Sequence, residues 1–176
     1  DETLSLILSS LSATGRNVIF TGSASTIAGG GTITNDDQAV VSISTESETE
    51  GTSLSYTVSI SNPVDVSVSA TSDTQDGTAL AASDYTAISG GTVTFGANST
   101  GDQTVTVATG TDNLVELDET LSLILSSLTA TGRNVIFTGS ASTIAGGGTI
   151  ANDDQAVVSI STESETEGTS LSYTVS

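Results

Sequence analysis

The sequence predicts an all-β fold: an immunoglobulin-like antiparallel two-sheet sandwich, repeated in tandem with a period of 117 residues. Three observations carry this. Apolar residues alternate with Ser and Thr at period two in several short runs, the pattern of strands with one buried face. Aromatics are only 3% and Ser, Thr, Gly, Ala and Val dominate, a β-forming, small-cored composition rather than a disordered one. Residues 1–59 and 118–176 are the same text apart from Ser12 against Thr129 and Thr34 against Ala151. A repeat this long is a whole domain, not a solenoid turn.

The natural boundaries are Asn35-Asp36-Asp37 and its copy Asn152-Asp153-Asp154, each between two strand-like runs. Residues 1–37 then read as the C-terminal part of one domain, 38–154 as a complete domain, and 155–176 as the N-terminal part of the next. Only Gln38 separates Asp37 from the following strand, so the joint is short and stiff, unlike a Gly/Ser linker.

Within the complete repeat, Ala39 to Ser44 is the first strand. Leu54, Tyr56, Val58 and Ile60 alternate with polar residues, and Asn62-Pro63 then breaks the chain. Val64, Val66, Val68 and Ala70 make the third strand, Thr92 to Phe95 a short fourth, and Thr104 to Val107 a fifth after the turn Gly96–Asp102. Leu121, Leu123 and Leu125 form the next, with Ile124 facing outward; spacing by two and the Ser content argue against a helix. Residues 127–143 read as a long loop with an apolar piece, Val135-Ile136-Phe137, before a last strand from Gly148 to Ala151. About seven strands with Gly-rich turns suit a sandwich. Its core is Val, Leu, Ile and Ala, with Tyr56, Tyr85 and Phe95 as large fillers.

Charge narrows function. Twenty-one acids face two bases, Arg16 and Arg133, for a net charge of −19, which excludes a nucleic-acid-binding face. Cys and His are absent, removing disulfides, thiolate metal sites and the usual general base. No run of eighteen apolar residues and no signal-peptide pattern occurs, so no membrane span is expected. The Ser/Thr-rich, Lys-free composition fits a secreted or cell-surface protein. Scattered acids such as Asp65 and Asp102 read as solubilising charge. An enzymatic pair of Glu116 and Glu119, a glycan- or ice-binding Thr face (Thr104, Thr106), and a glycosylation sequon at Asn98-Ser99-Thr100 have little support.

The densest chemistry lies at 112–119, with Asp112, Glu116, Asp118 and Glu119 in eight residues and no base nearby. Two carboxylates about 5 Å apart repel by roughly 3 kcal/mol at an effective dielectric near 20. Oxygen-only groups of this kind suit a hard cation, Ca²⁺ first and Mg²⁺ second. Loops at one end of a sandwich meet in space, so Glu46, Glu48 and Glu50, then Asp76, then Asp112, Glu116 and Glu119, then Asp153 and Asp154 are expected to share a pole.

The order of segments resembles the Calx-beta domain family: Asp76-Gly77-Thr78-Ala79…Ser83-Asp84-Tyr85, Gly91-Thr92-Val93-Thr94-Phe95, Asp112…Glu116-Leu117-Asp118-Glu119-Thr120, and Ile150-Ala151-Asn152-Asp153-Asp154. The resemblance implies calcium ions at the pole facing the next domain. It also implies Asp76, Asp112, Glu116, Glu119, Asp153 and Asp154 as ligands, with either Glu48 or Glu50 as the early Glu. Asp84 and Tyr85 match a structural pair, a turn-capping carboxylate and a packed ring. Thr111 and Asn152 stand where the family often has Asp, which implies fewer ions or weaker binding. The flanking copies carry Glu2, Asp36, Asp37, Glu165 and Glu167 at the same positions.

The expectation is a non-enzymatic, calcium-binding structural or adhesive repeat of a long surface protein or filament. Its partners are neighbouring identical domains, with lateral or end-to-end self-association. The alternative is a calcium sensor whose shape change regulates a partner.

Overall fold

A computed structural model describes all residues, 1–176, and the chain forms two compact units, Asp1–Asp37 and Gln38–Ser176. In the first, β1 (Glu2–Ser9) and β2 (Thr26–Ile33) make one antiparallel hairpin.

The second unit holds nine strands: β3 (Ala39–Ile43), β4 (Glu46–Thr49), β5 (Leu54–Ile60), β6 (Val68–Asp76), β7 (Gly91–Phe95), β8 (Gln103–Val107), β9 (Glu119–Thr129), β10 (Val135–Phe137) and β11 (Ile144–Ala151). They form a four-stranded sheet, β10-β3-β5-β8, and a five-stranded sheet, β4-β11-β9-β6-β7. This is an immunoglobulin-like β-sandwich. Most pairs are antiparallel, but β10 with β3 and β11 with β4 are parallel. Both follow from the chain changing sheets: β3 and β4, separated only by Ser44 and Thr45, lie in opposite sheets, and so do β10 and β11. Ser44 pins the first crossing, its Oγ accepting from the Thr57 backbone N–H (2.9 Å) and donating to Glu46.

The core fills the space between the sheets in two clusters. One gathers Val41, Val58, Val68, Phe95, Leu125 and Phe137 among others; the second gathers Leu54, Tyr56, Tyr85, Val107, Leu121, Leu123 and Ile150. Leu121, Leu123 and Leu125 point inward and the intervening Ser122 and Ile124 are only half-buried, as period two requires. Tyr56, Tyr85 and Phe95 are the expected fillers; Phe137, expected in a loop, is a fourth.

Several elements differ from the sequence reading. The third strand begins at Val68, not Val64, and continues to Asp76, because Ser72 and Thr74 carry the inward alternation onward as polar residues. The acidic run 46–49 is a strand, held by pairing with β11. The stretch 127–143 contains the end of β9, all of β10 and a short 3₁₀ turn, Thr138–Ser140. Asp65, read as solubilising charge, forms a bidentate pair with Arg133, Nε to Oδ1 at 2.5 Å and Nη2 to Oδ2 at 2.6 Å. The guanidinium beside it holds the Asp65 carboxyl below its ordinary range. Exposed pairs of this kind add little stability.

The copied segments keep their local geometry. The β1–β2 register, Glu2↔Ile33 through Leu8↔Ile27, repeats Glu119↔Ile150 through Leu125↔Ile144. In 155–176, Ser159 pairs with Ser176 as Ser42 pairs with Ser59, and Ser161 Oγ accepts from Thr174 N as Ser44 Oγ does from Thr57 N.

Candidate metal centre

Three loops of the sandwich are laced together at one pole by backbone hydrogen bonds. Glu50 follows β4, and its N–H donates to the Ala151 carbonyl at the end of β11 (3.1 Å). Gly51 N–H donates to Gly110 O (2.7 Å), and Gly110 N–H donates to Asp84 O (2.7 Å). Gly51 has φ of 74°, a left-handed conformation that glycine adopts without strain. A Cβ on Gly110 would lie 2.8 Å from Ser83 O, so only glycine lets the loops approach this closely.

The parallel register of β4 on β11, Glu48 opposite Ile150 and Thr49 opposite Ala151, brings Glu50 beside the acids that leave β11. Carboxylate oxygens of Glu50, Asp153 and Asp154 all lie within 4.8 Å of one another. Asp154 Oδ2 is buried with no hydrogen-bond partner. Asn152 braces this corner: its Oδ1 accepts from Asp154 N (3.4 Å) and its Nδ2 donates to Asp154 O (3.2 Å). Asp118 Oδ1 in turn accepts from Asn152 N (3.2 Å).

A cleft next to this trio is lined by Glu50, Asp84, Asp112, Glu116 and Glu119, with Gly110 and Thr111 in its wall. Glu50 belongs to both groups. Burial pushes its carboxyl up, and the charges of Asp112, Asp154 and Asp153 push it further. Burial also raises Glu119, and Asp84 adds to it by charge and by accepting a hydrogen bond from the protonated form, with Glu116 and Glu50 behind. These upward shifts mark like charges held together without a counter-charge. Arg133 is engaged with Asp65 and Arg16 belongs to the other unit.

The sequence-derived candidates therefore divide. Glu50, Asp112, Glu116, Glu119, Asp153 and Asp154 gather at the trio and the cleft. Of the two early acids, Glu50 joins them while Glu48 is exposed on β4. Asp76 ends β6 opposite Leu121, and its Oδ1 is taken up by Ala81 N (3.0 Å) and the Tyr85 hydroxyl. Glu2 lies on β1 opposite Ile33, with Asp36 and Asp37 after β2. Glu165 accepts a long bond from Thr169 Oγ1 (3.4 Å), and Glu167 lies in the turn before Gly168. None of these five copies gathers in a three-acid group.

Two residues do more than the sequence indicated. Asp84 does cap its turn, with Oδ2 accepting from Leu80 N at 2.6 Å, yet it also faces Glu119 in the cleft. The bridge of Tyr85 to Thr109 puts it there, a pairing no local pattern announces. Asn152, read as a lost acid, is the brace for Asp154. Chemically the trio and the cleft offer only hard oxygen donors, and the trio's converge within 4.8 Å, which fits a divalent cation bound by carboxylates and backbone or water oxygens.

Fold and pole together define an immunoglobulin-like sandwich with an acidic end. The Calx-beta domain model matches residues 34–154, well over half of the chain, and the chain belongs to the Calx-beta domain family. Solved structures agree on the fold. The apo form of the Calx CBD1 domain is 21% identical at a TM-score of 0.56, over 67% of this chain and 100% of that one. The CBD12 structure from CALX1.2 is 20% identical at 0.58, over 70% of this chain and 49% of that one. The calcium binding domain CBD12 of CALX1.1 is 19% identical at 0.52, over 69% and 50%. This chain thus spans about half the length of the two CBD12 structures. A search of curated proteins finds no match.

Proposed function

We propose that residues 38–154 form a non-enzymatic calcium-binding module in a repeated, secreted or cell-surface array, and that Ca²⁺ at the acidic pole stiffens the joint to the next repeat. The observation that carries this reading is the convergence of Glu50, Asp153 and Asp154 within 4.8 Å with no cationic side chain beside them. Asp154 is followed by Gln155, where the next copy of the repeat text begins. An ion held there couples the end of β11 to the connection. The near-identity of residues 1–59 and 118–176 supports a structural array over a single regulatory switch. Family membership supports calcium as the cation, as does the likeness to a calcium binding domain of CALX1.1.

Extracellular modules bind calcium at about 10⁻⁴ to 10⁻³ M. At tenfold excess over its dissociation constant, each ion adds about 1.4 kcal/mol. Melting the protein in EGTA and in millimolar calcium is expected to show a higher midpoint with calcium, and titration calorimetry is expected to show saturable heat. Identical melting curves and no heat would sink the proposal. Micromolar affinity with a large change in scattering profile would instead favour a calcium sensor.

A further inference from the structure

A strand at the edge of a sheet presents unpaired backbone N–H and C=O groups, and folded proteins blunt such edges with charge, proline, a bulge or brevity. β8 closes one side of the four-stranded sheet and pairs with β5 alone. None of these guards is present on it. Gln103-Thr104-Val105-Thr106-Val107 carries no charge and no proline, and its register to β5 is unbroken from Leu54↔Val107 to Val58↔Gln103. By contrast, the edge strand β4 carries Glu46 and Glu48, and β10 is three residues long. β7, beside β8 on the same flank of the sandwich, is also uncharged. A chain with twenty-one acids thus keeps them out of both edge strands of one flank.

Backbone alternation fixes which groups of β8 are free. Thr57 O accepts from Ser44 N–H (2.9 Å), so the Thr57 backbone faces β3, and those of Leu54, Tyr56 and Val58 face β8. Their partners there are Val107, Val105 and Gln103. Thr104 and Thr106 therefore turn their N–H and C=O groups outward. Ala108, the next residue of that row, confirms the direction: its carbonyl accepts from Thr86 N–H (2.8 Å), not from β5. Both threonines are exposed.

We propose that β8 pairs antiparallel with β8 of a second copy of this chain, across a two-fold axis at Val105. In that register Thr104 of each copy lies opposite Thr106 of the other, and the two exchange backbone hydrogen bonds. Thr-Val-Thr is its own complement, and the facing threonine side chains form favourable cross-strand pairs on the outer face. The interface is isologous and closed, joining the two four-stranded sheets into one. A second copy suits this edge better than a flexible peptide, because its strand is already extended and pairing orders no backbone. Repulsion between two acidic bodies opposes the contact and is screened by salt, so pairing strengthens as ionic strength rises. Residues 103–107 lie outside the duplicated text, so each chain offers this edge once and pairing ends at a dimer. In a repeated array every full period adds one edge, and two arrays gain by multivalency. That extension rests on the array reading; the pairing itself needs neither the array nor calcium.

The test is sedimentation velocity in EGTA at low and high salt. The unaltered chain is expected to pass from monomer toward dimer as concentration rises, more readily at high salt. Thr104→Lys with Thr106→Lys sets like charges directly opposite each other across the axis, and so does Thr104→Glu with Thr106→Glu. Each double variant alone is expected to associate at least tenfold more weakly. These side chains stand in solvent, so the melting midpoint of each variant is expected to stay near that of the parent. An equimolar mixture of the two sets Lys against Glu at every facing position and is expected to recover the dimer. A parent of monomer mass at every concentration would overturn the proposal. So would variants that associate as the parent does, or a mixture that stays monomeric where the parent dimerises.

Discussion

Gly146→Ala is expected to destabilise residues 38–154 by about 3 kcal/mol, near the upper end for overpacking a core, lowering the melting midpoint by roughly 10 °C or more. The added Cβ would lie 2.3 Å from the Ser44 carbonyl oxygen. That oxygen belongs to the backbone crossing between sheets, where Ser44 is also tied to Thr57, so no rotamer change relieves the clash. Gly148→Ala is a useful contrast, because there the collision is with a side-chain atom, the Tyr56 hydroxyl. This hydroxyl is buried without a hydrogen-bond partner, and burial pushes its pKa up to about 12. Removing such a group is close to neutral or stabilising. Tyr56→Phe alone is thus expected to leave the midpoint unchanged or higher, and to recover part of the loss caused by Gly148→Ala. It is expected to recover nothing in Gly146→Ala. Thermal melts of the three single and two double variants give the coupling directly. Equal rescue of both glycine variants would show that the hydroxyl-dependent position of Tyr56, not the Ser44 carbonyl, sets the limit at Gly146.

The same contacts explain which parts of the fold could be read from residues alone. β5 and β9 were legible because their inward positions are all large and apolar: Leu54, Tyr56, Val58 and Ile60 in one, Leu121, Leu123 and Leu125 in the other. β4 carries no apolar residue, and only its partner β11 makes it a strand. The far half of β6 buries Ser72 beside Gly91, its cross-strand partner on β7, where a Cβ would lie 2.5 Å from the Ser72 hydroxyl. Period-two hydrophobicity cannot report an inward serine. β10 is three residues long, below the length at which alternation means anything. At the pole, the acids were visible as residue types, but their sorting depended on register. A parallel β4–β11 pair selects Glu50 over Glu48, and the fold of the 77–85 turn onto Tyr85 engages Asp76. Neither is encoded in spacing along the chain.

Glu50→Gln is expected to change the sign of its effect with calcium. In EGTA, the folded protein holds Glu50 close to Asp153 and Asp154, and like charges at this distance repel by about 3 kcal/mol at an effective dielectric near 20. Solvent at this partly open pole screens that to about 1 kcal/mol or less. Neutralising Glu50 therefore raises stability when calcium is absent. In calcium the same substitution removes one charged donor from the trio, and the stabilisation of about 1.4 kcal/mol per ion at tenfold excess is expected to be lost or strongly reduced. The pH dependence gives an independent reading of the apo state. Glu50 and Glu119 have folded carboxyl pKa values raised above the ordinary 4.5, so the folded protein binds more protons than the unfolded chain just above that value. Stability in EGTA then falls as pH rises from the ordinary value through the raised ones, and levels off above them. Glu50→Gln is expected to flatten that fall, leaving the part due to Glu119. Denaturation midpoints measured across this range, with and without calcium, check both statements. A Glu50→Gln variant that is less stable than the parent in EGTA would mean that the carboxylate is held by attraction rather than against repulsion.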